Sequence, residues 1–475
     1  MTQAGSLAEE LRWASATETA ARVRAGEFTP RQAVEAALER IADAQPRLNA
    51  FVRITREAAL AEADRVGERL AAGEHLPLAG VPLAAKDEMA MAGEVAAKGS
   101  RAITRVDRED AEIIRRVRAA GGVIVGSTRT PELCLVPFTE SAFGGVTRNP
   151  WDPSRTPGGS SGGSAAAVSA GLVPIALGGD GGGSIRGPAA WTGLPGLYPT
   201  PGQVSLAPDA ERWTGFVSLG GFGRSIADTA LLYDVLFTEP QHLTAAASEA
   251  PLPVRILHTS DRAIDQPLPQ GGKVDRAWLR ATDLTADLLG RLGHDVQAGR
   301  LRFGHAALKF TVRYLASARA DLAATDHPER AEGLTRLAAR LGGPARRAMP
   351  WAMDLTRERA ALEASMGEAD VILTPTMPCA PPPVGERDGR PAVLTLLAAS
   401  RRVSFINHWN LLGWPGLSVP AGLDADGRPL AVLLTARPGK ERLLLQLGAQ
   451  LERERPWPLG PGAPASLTTP TEVHG

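Results

Sequence analysis

The chain has 475 residues, 44% of them hydrophobic and 22% charged, which excludes an intrinsically disordered protein and leaves enough apolar sequence for a large core. Its 52 basic and 52 acidic residues cancel, which argues against a nucleic-acid-binding surface or a polybasic membrane face and favours a neutral small substrate. Two cysteines are too few for a disulfide framework or a cysteine-based zinc site and indicate a reducing, cytoplasmic environment. The sequence also contains neither a signal-peptide pattern nor an apolar run of roughly 18 residues that would predict a membrane span.

The N-terminal part of the chain predicts a series of helices. An amphipathic pattern indicates a helix near 6–25, and a second helix is expected over 29–44, where Thr29 suits an N-cap and Pro30 the first helical position. A third helix is expected at 56–72.

Strands then alternate with helices. Lys86 follows the apolar run VPLAA at a predicted strand end, and a helix over 109–122 closes with glycine before the β-rich run 123–128. Residues 131–163 are dense in Pro, Gly, Ser and Thr and predict a loop.

The same alternation continues to the C-terminal region. Strands are predicted at 173–179, 253–260, 370–375 and 416–422, and helices at 164–171, 274–291 and 440–453. This pattern predicts an α/β protein with one large sheet between helices, formed by a single domain over 1–455 and followed by a Pro/Gly-rich tail at 456–475.

Lys86 is one of only five lysines, and its position inside an apolar segment is unusual. A buried lysine is costly unless it is neutral or paired. Burial disfavours the charged form of an amine, so a lysine in this position is suited to accept a proton from a serine.

Two clusters of glycine and serine, 158-GGSSGGS-164 and 180-DGGGSIRGP-188, follow within the next hundred residues. The first lacks the Gly-Lys-Ser/Thr ending of a nucleotide-binding loop. Gly/Ser runs are commonly flexible links, but the presence of two such clusters 24 residues apart disfavours that interpretation here. The first cluster also satisfies G-x-S-x-G at Ser160 or Ser161. With Asp370 and His408 following in the appropriate order, an α/β-hydrolase-type esterase with a Ser-His-Asp triad stays open as an alternative.

Three segments together resemble the amidase signature family: 80-GVPLAAKDEMAMAG-93, the stretch from TPGGSSGGS to GLYPT at 156–200, and 370-DVILTPTMP-378. The resemblance extends over most of the chain. It implies a mixed, twisted sheet of about eleven strands covered by helices on both faces. It also implies a hydrolase that cleaves carbon–nitrogen bonds of amides other than peptide bonds, with no metal and no cofactor.

The resemblance further implies a Ser-Ser-Lys triad. Lys86 corresponds to the base, Ser160 to a middle serine that follows a cis peptide bond from Gly159, and Ser184 to the nucleophile that forms an acyl-enzyme. We expect Ser161 to support the loop through hydrogen bonds.

Further residues are expected to complete the site. Backbone N–H groups of the glycine run are predicted to form the oxyanion hole, and they belong to Gly181, Gly182, Gly183 and Ser184. Asp180 and Arg186 bracket the run and are predicted to pair across it, and Leu135 corresponds to a position that lines the acyl pocket.

The expected substrate is a small amide. Gly179 and Gly181 stand where relatives often have threonine, which predicts a wider site for aryl, cyclic or oligomeric amides or for carbamates. A monomer or homodimer is expected, without nucleic acid or membrane as a partner. The amidase component of a glutamine-dependent tRNA amidotransferase stays open as an alternative, whereas a binding protein that has lost catalysis is disfavoured because all three triad positions are filled.

Overall fold

Eleven of the thirteen strands in the computed structural model, which describes residues 7–260 and 273–464, form one mixed sheet. The strands are β1 (Phe51–Ile54), β2 (Pro82–Lys86), β3 (Val123–Thr128), β4 (Glu140–Ser141), β5 (Gly145–Val146), β6 (Ile175–Asp180), β7 (Gly196–Tyr198), β8 (Ser218–Phe222), β9 (Arg255–His258), β10 (Asp295–Ala298), β11 (Val371–Pro375), β12 (Gly416–Leu423) and β13 (Pro429–Ala436). Their order in the sheet is β1-β3-β2-β6-β8-β7-β12-β13-β11-β9-β10, and β4 and β5 form a separate hairpin. The predicted α/β fold with a mixed sheet of about eleven strands is confirmed.

Helices flank this sheet. They are α1 (Leu7–Glu10), α2 (Ala16–Arg24), α3 (Pro30–Leu48), α4 (Arg56–Ala71), α5 (Glu112–Ala119), α6 (Gly162–Ser169), α7 (Arg186–Thr192), α8 (Ile226–Leu236), α9 (Leu243–Ser248), α10 (Arg276–Arg291), α11 (Ala306–Ala323), α12 (Gly333–Ala345), α13 (Met349–Met353), α14 (Thr356–Met366), α15 (Ala392–Arg402), α16 (Asn407–Leu412) and α17 (Glu441–Glu454). Within the described ranges, no helix combines the length and apolar character needed to cross a membrane.

The N-terminal helices show how local sequence sets the element boundaries. Thr29 caps α3 through a reciprocal capping box with Gln32, and Pro30 occupies the first turn as predicted. The single helix expected near 6–25 is wrong. Ser15 accepts a hydrogen bond from the Glu18 N–H and is the N-cap of α2, so the chain forms two separate helices there.

The sheet topology brings the segment that carries Lys86 close to the segment that precedes Ser184. Strands β2 and β6 are parallel neighbours, so their carboxyl ends lie at the same edge of the sheet. Lys86 is the last residue of β2 and Asp180 the last residue of β6. Side chains that lie far apart in the sequence therefore meet at this edge.

The predicted tail begins within the packed structure. Trp457 is buried in the main core and donates from its indole N–H to the Arg224 carbonyl at 3.1 Å. A Cβ on Gly460 would lie 2.2 Å from the Ser169 carbonyl oxygen, so the chain is close to α6 there. Residues 456–464 thus pack on the domain, and 465–475 lie outside the described residues.

Candidate active site

Lys86 is buried at the end of β2, with 1% of its side chain exposed, and it contacts two polar side chains. Its Nζ lies 2.7 Å from the Oγ of Ser160, a distance that permits direct proton exchange. On its other side, Nζ lies 2.8 Å from Oε1 of Glu88. The contact with serine is expected from the sequence analysis, whereas the contact with the carboxylate is not among its predictions.

Close backbone packing fixes the position of Ser160. The Gly159–Ser160 peptide bond is cis, as the resemblance implies. A Cβ on Gly159 would lie 2.6 Å from the Phe138 backbone N and 2.9 Å from the Val136 carbonyl oxygen. Because both atoms belong to the backbone, only glycine fits before Ser160.

Ser161 links this segment to β6 and to the second serine cluster. Its Oγ donates to the Gly179 carbonyl at 3.1 Å, and its backbone N–H donates to the Ser184 carbonyl at 3.3 Å. Ser161 therefore holds the loop that carries Ser160 against the loop that carries Ser184.

A buried ion pair supports the loop that carries Ser184. The guanidinium of Arg186 donates to both carboxylate oxygens of Asp180 at 3.0 Å, and neither side chain is exposed. Asn410 also donates to Asp180 Oδ1, at 2.8 Å. Burial alone would raise the pKa of Asp180, but Arg186 outweighs it and holds that pKa below its usual value. The structure thus places Asp180 and Arg186 together across the glycine run.

The same carboxylate corrects one predicted member of the oxyanion hole. The Gly183 N–H donates to Asp180 Oδ1 at 2.6 Å, so it points at the carboxylate and is not available to a substrate. Gly183 instead has a φ of +106°, and its missing side chain leaves room for Ile406. Gly182 and Ser184 do line a cavity, and no acceptor in the described part of the chain takes their N–H groups.

The prediction that two further glycines widen the site is wrong. A Cβ on Gly179 would lie 2.3 Å from Glu88 Oε1, and one on Gly181 would lie 3.0 Å from the ring of Trp213. The space that the absent side chains leave is therefore filled by a carboxylate and by an indole ring.

The cavity beside Ser184 has a volume of about 220 Å³ and an apolar wall. Among the described residues it is lined by no charged side chain. Gly159, Gly182 and Ser184 line it, and so does Leu135, as expected from the sequence. Much of the remaining wall is aromatic or aliphatic, including Trp213, Phe310, Tyr314 and Leu397.

The alternative Ser-His-Asp triad is wrong for this fold. His408 is buried against Phe303, with ring centroids 4.2 Å apart, and within the described ranges neither ring nitrogen has a hydrogen-bond partner. Burial lowers its pKa to about 3. Asp370 is exposed at the start of β11 and accepts from the Arg255 N–H at 3.0 Å. The helix that carries His408 thus packs it into the core, away from any serine hydroxyl.

Sequence reasoning missed three residues around the site: Glu88, Arg212 and Trp213. Glu88 follows Lys86 by two positions, a spacing that places side chains on one side of an extended chain and could have indicated the contact. Arg212 and Trp213 belong to an irregular segment whose path carries no periodic signal. In the part of the chain that the structure describes, no group of three or more His, Cys, Asp or Glu could hold a metal ion.

Comparisons with known proteins agree with this architecture. A family model described as Amidase matches residues 32–445. The chain is 41% identical over 455 residues to the protein named "Putative amidase AmiB2" of Mycobacterium tuberculosis, covering 94% of this chain and 97% of that protein. It is 36% identical to a glutamyl-tRNA(Gln) amidotransferase subunit of Prochlorococcus marinus, over 91% of this chain and 95% of the relative.

A solved structure supports the same assignment. The structure of 6-aminohexanoate cyclic dimer hydrolase in complex with substrate superposes with a TM-score of 0.83 at 29% sequence identity, covering 94% of this chain and 98% of that one. The chain belongs to the amidase signature family. It is an enzyme that hydrolyses carbon–nitrogen bonds of amides other than peptide bonds.

Proposed function

We propose that this enzyme hydrolyses uncharged amides with a bulky apolar group through a Ser184–Ser160–Lys86 relay and an acyl-enzyme. One observation carries the proposal. Lys86 Nζ lies 2.7 Å from Ser160 Oγ, and Gly159, the residue before Ser160, lines the same apolar cavity as Ser184. A buried amine, a relay hydroxyl and an accessible hydroxyl are the groups that serine-based acyl transfer requires.

The relay moves one proton in each direction. As Ser184 Oγ attacks the amide carbonyl, its proton passes to Ser160 while the Ser160 proton passes to neutral Lys86. The carbon–nitrogen bond then breaks, and the proton returns through Ser160 to the departing amine. Water enters, loses a proton to the same relay and cleaves the acyl-enzyme, which restores Ser184 and releases the carboxylic acid.

Two backbone groups are suited to stabilise the oxyanion. The N–H groups of Gly182 and Ser184 belong to residues that line the cavity, and they lack acceptors in the described ranges. The loss of one such donor typically costs on the order of a hundredfold to a thousandfold in rate. The fixed loop geometry that Asp180 imposes supports this role because preorganised donors need no rearrangement during the reaction.

The cavity supports a bulky, uncharged substrate. The cavity has an apolar wall and a volume of about 220 Å³, which suits an aryl, cyclic or long aliphatic group on the amide. The hydrolase of a cyclic amide dimer is among the similar solved structures. Free glutamine fits less well. Its α-ammonium and α-carboxylate groups would lose water, and the described cavity wall offers no charged partner.

Activity screening tests both the reaction and the substrate class. Wild-type enzyme is assayed with an aryl anilide, a cyclic diamide, a primary aliphatic amide, an aryl ester, an aryl carbamate and glutamine. We expect the aryl anilide or cyclic diamide to give the highest kcat/KM and glutamine to give no turnover. Turnover of glutamine together with silence on every apolar amide would overturn the substrate assignment in favour of a component of an amidotransferase.

Serine variants test the chemistry. Ser184→Ala is expected to abolish turnover. Ser248→Ala serves as the matched control because Ser248 is exposed and its hydroxyl donates to the Ala245 carbonyl of its own helix end. Lys86→Ala is expected to lose most activity at neutral pH and to recover part of it at high pH, where hydroxide replaces the base. Full activity in Ser184→Ala would refute the nucleophile assignment.

A further inference from the structure

We propose that Glu88 and Arg212 act as positioning residues that hold Lys86 and allow it to exist as a neutral amine. The inference rests on the proposed role of Lys86 as the base. It assigns the ion pair of Glu88 and Arg212 as a support of the Ser-Ser-Lys relay. It also predicts that loss of Glu88 and loss of Arg212 shift the pH dependence of activity in opposite directions.

The geometry places one carboxylate between two basic groups. Glu88 Oε1 lies 2.8 Å from Lys86 Nζ, and Glu88 Oε2 accepts from the Arg212 guanidinium at 2.6 Å. The Glu88 side chain is 3% exposed and that of Arg212 is 15% exposed. The three groups thus form a continuous, nearly dry chain of contacts that ends at Ser160.

Gly179 makes room for this arrangement. A Cβ at position 179 would lie 2.3 Å from Glu88 Oε1, too close for any side chain without displacing the carboxylate. The position of Glu88 therefore depends on a glycine in the neighbouring strand β6. Strand β6 also ends at Asp180, so the same strand supports both the lysine and the loop of Ser184.

Charge balance decides which basic group is neutral. Arginine stays protonated in proteins, so Arg212 always carries a positive charge that compensates Glu88. If Lys86 is also protonated, the cluster holds one excess buried positive charge, which is costly. If Lys86 is neutral, the charges cancel. Arg212 therefore balances the charge of Glu88. A neutral Lys86 amine keeps Glu88 Oε1 at 2.8 Å and Ser160 Oγ at 2.7 Å, and its lone pair is then free to accept the Ser160 proton.

The carboxyl of Glu88 lies beside two basic groups that favour its ionised form. Burial alone would raise its pKa, but Lys86 in its ammonium form and Arg212 outweigh burial and hold the pKa well below its ordinary range. When Lys86 is neutral, Arg212 still pairs with Glu88 Oε2 at 2.6 Å, so we expect Glu88 to stay a carboxylate, which acts as an acceptor only. It orients the amine without competing for the proton from Ser160.

Five other ionisable groups lie around the cluster: Asp87, Cys134, Asp209, Asp321 and Lys98. Asp209 is exposed, and its Oδ2 lies 3.9 Å from Arg212 Nε. Burial raises the pKa of Asp87 to about 7, and its Oδ2 accepts from the Gly99 N–H, away from Lys86. Burial also raises the pKa of the Cys134 thiol, whose Sγ lies 3.7 Å from Glu88 Oε2.

Asp321 and Lys98 lie further out. Burial raises the pKa of Asp321, and its Oδ2 accepts from the indole N–H of Trp213 at 2.6 Å. Lys98 acts on Asp321 and opposes that shift. Within the described residues, none of the five forms a hydrogen bond or an ion pair with the Lys86 amine, so Glu88 is the charged group in direct contact with the lysine.

The test is the acid limb of the kcat/KM profile, measured from about pH 5 to pH 10 on the best substrate of the screen. In Glu88→Gln the ammonium form of Lys86 loses its negative partner and keeps the charge of Arg212, so the limb should move to lower pH. In Arg212→Gln the uncompensated carboxylate favours the ammonium form, so the limb should move to higher pH. An opposite charge at this range typically shifts a titration by about 1 to 3 pH units.

Controls separate position from charge. Arg212→Lys keeps the positive charge and should return the limb to within about half a pH unit of wild type, even where kcat falls. Glu74→Gln removes a carboxylate from an exposed pair with Arg69 and should leave the profile unchanged. A thermal melt of each variant shows whether it folds. If Arg212→Gln does not fold, the acid limb of Glu88→Gln decides the proposal.

Two outcomes distinguish this inference from the proposed function. Limbs that coincide with wild type in Glu88→Gln and Arg212→Gln, while Lys86→Ala is inactive at neutral pH, overturn the charge pair and leave the triad intact. A Lys86→Ala variant with the wild-type profile overturns the base assignment itself. Shifts of both variants in the same direction also overturn the charge pair because a general loosening of the site, and not its charge, would then explain them.

Discussion

Removal of the charge on Asp180 should destabilise the enzyme far more than removal of a similar charge from the surface. Asp180→Asn keeps the size of the side chain but leaves the guanidinium of Arg186 unpaired where neither side chain is exposed. Breaking a buried pair by removing one partner costs about 3–5 kcal/mol. The matched control is Asp43→Asn, since Asp43 pairs with Arg47 at the surface with side chains 69% and 74% exposed, and such pairs contribute about 0–1 kcal/mol.

The expected shift in melting temperature follows from the chain length. An unfolding entropy of about 2.1 cal/mol/K per residue gives roughly 1 kcal/mol/K for 475 residues. Asp180→Asn should therefore lower Tm by about 3–5 °C and Asp43→Asn by less than about 1 °C. Differential scanning calorimetry measures both values under one buffer and one scan rate.

Activity and a double variant complete the test. Asp180 holds the Gly183 N–H at 2.6 Å, so its loss should also lower kcat by at least about tenfold through misplacement of Ser184. The double variant Asp180→Asn with Arg186→Met removes the unpaired charge and should recover part of the lost stability. Equal Tm shifts for Asp180→Asn and Asp43→Asn, or additive losses in the double variant, would refute the reasoning.

The site and the surrounding fold support three further expectations. Gly183→Ala places a Cβ 2.1 Å from Ile406 at a φ of +106°, so calorimetry and kinetics should show losses of both Tm and kcat. In Gly182→Ala the new Cβ would lie 2.9 Å from the Phe310 ring, so kcat/KM should fall with a Tm change below about 2 °C. Burial raises the pKa of Glu452 to about 8, so between about pH 4.5 and 8 the folded carboxyl stays protonated while the unfolded one ionises. The free energy of unfolding should therefore fall as pH rises through that range. Glu452→Gln should reduce this fall in thermal melts, and an unchanged slope would contradict the burial effect. Leu397→Ala, in the cavity wall, should lower kcat/KM for a bulky apolar amide about tenfold more than for a small amide. Leu394→Ala is the control, since Leu394 is also exposed on the same helix but is not among the residues that line the described cavity; a loss of the same size there would argue against a cavity effect.

The sequence predicts the parts of the fold that have strong local signals. The capped helix α3, the strand β3 and the strand that ends at Lys86 all form close to the expected positions because capping residues, β-branched runs and Gly breaks act locally. Strands β7 and β8 are not predicted. They are short, and β8 contains two glycines, so neither carries a clear period.

The site shows the same division between local and non-local information. The contact of Lys86 with Ser160 follows from motifs that each lie in one stretch of sequence. By contrast, Arg212 reaches Glu88 across 124 residues of sequence, and nothing near Arg212 indicates its partner. The predicted role of Gly183 is wrong for a related reason. Whether an N–H group faces a substrate or Asp180 depends on the loop path, which the composition of a glycine run does not specify.

The glycine at position 179 does not produce a more open site because the Glu88 carboxylate occupies the space beside it. The glycine removes atoms from β6, and the carboxylate that follows β2 occupies the same space, with Oε1 2.3 Å from where a Cβ would lie. The space beside Gly179 therefore holds a charged group next to Lys86 and is not open to a substrate. Such a charge would hold the lysine protonated and inactive if it stood alone. Arg212 on the second oxygen removes that penalty, so the glycine, the carboxylate and the arginine depend on one another for the site to function.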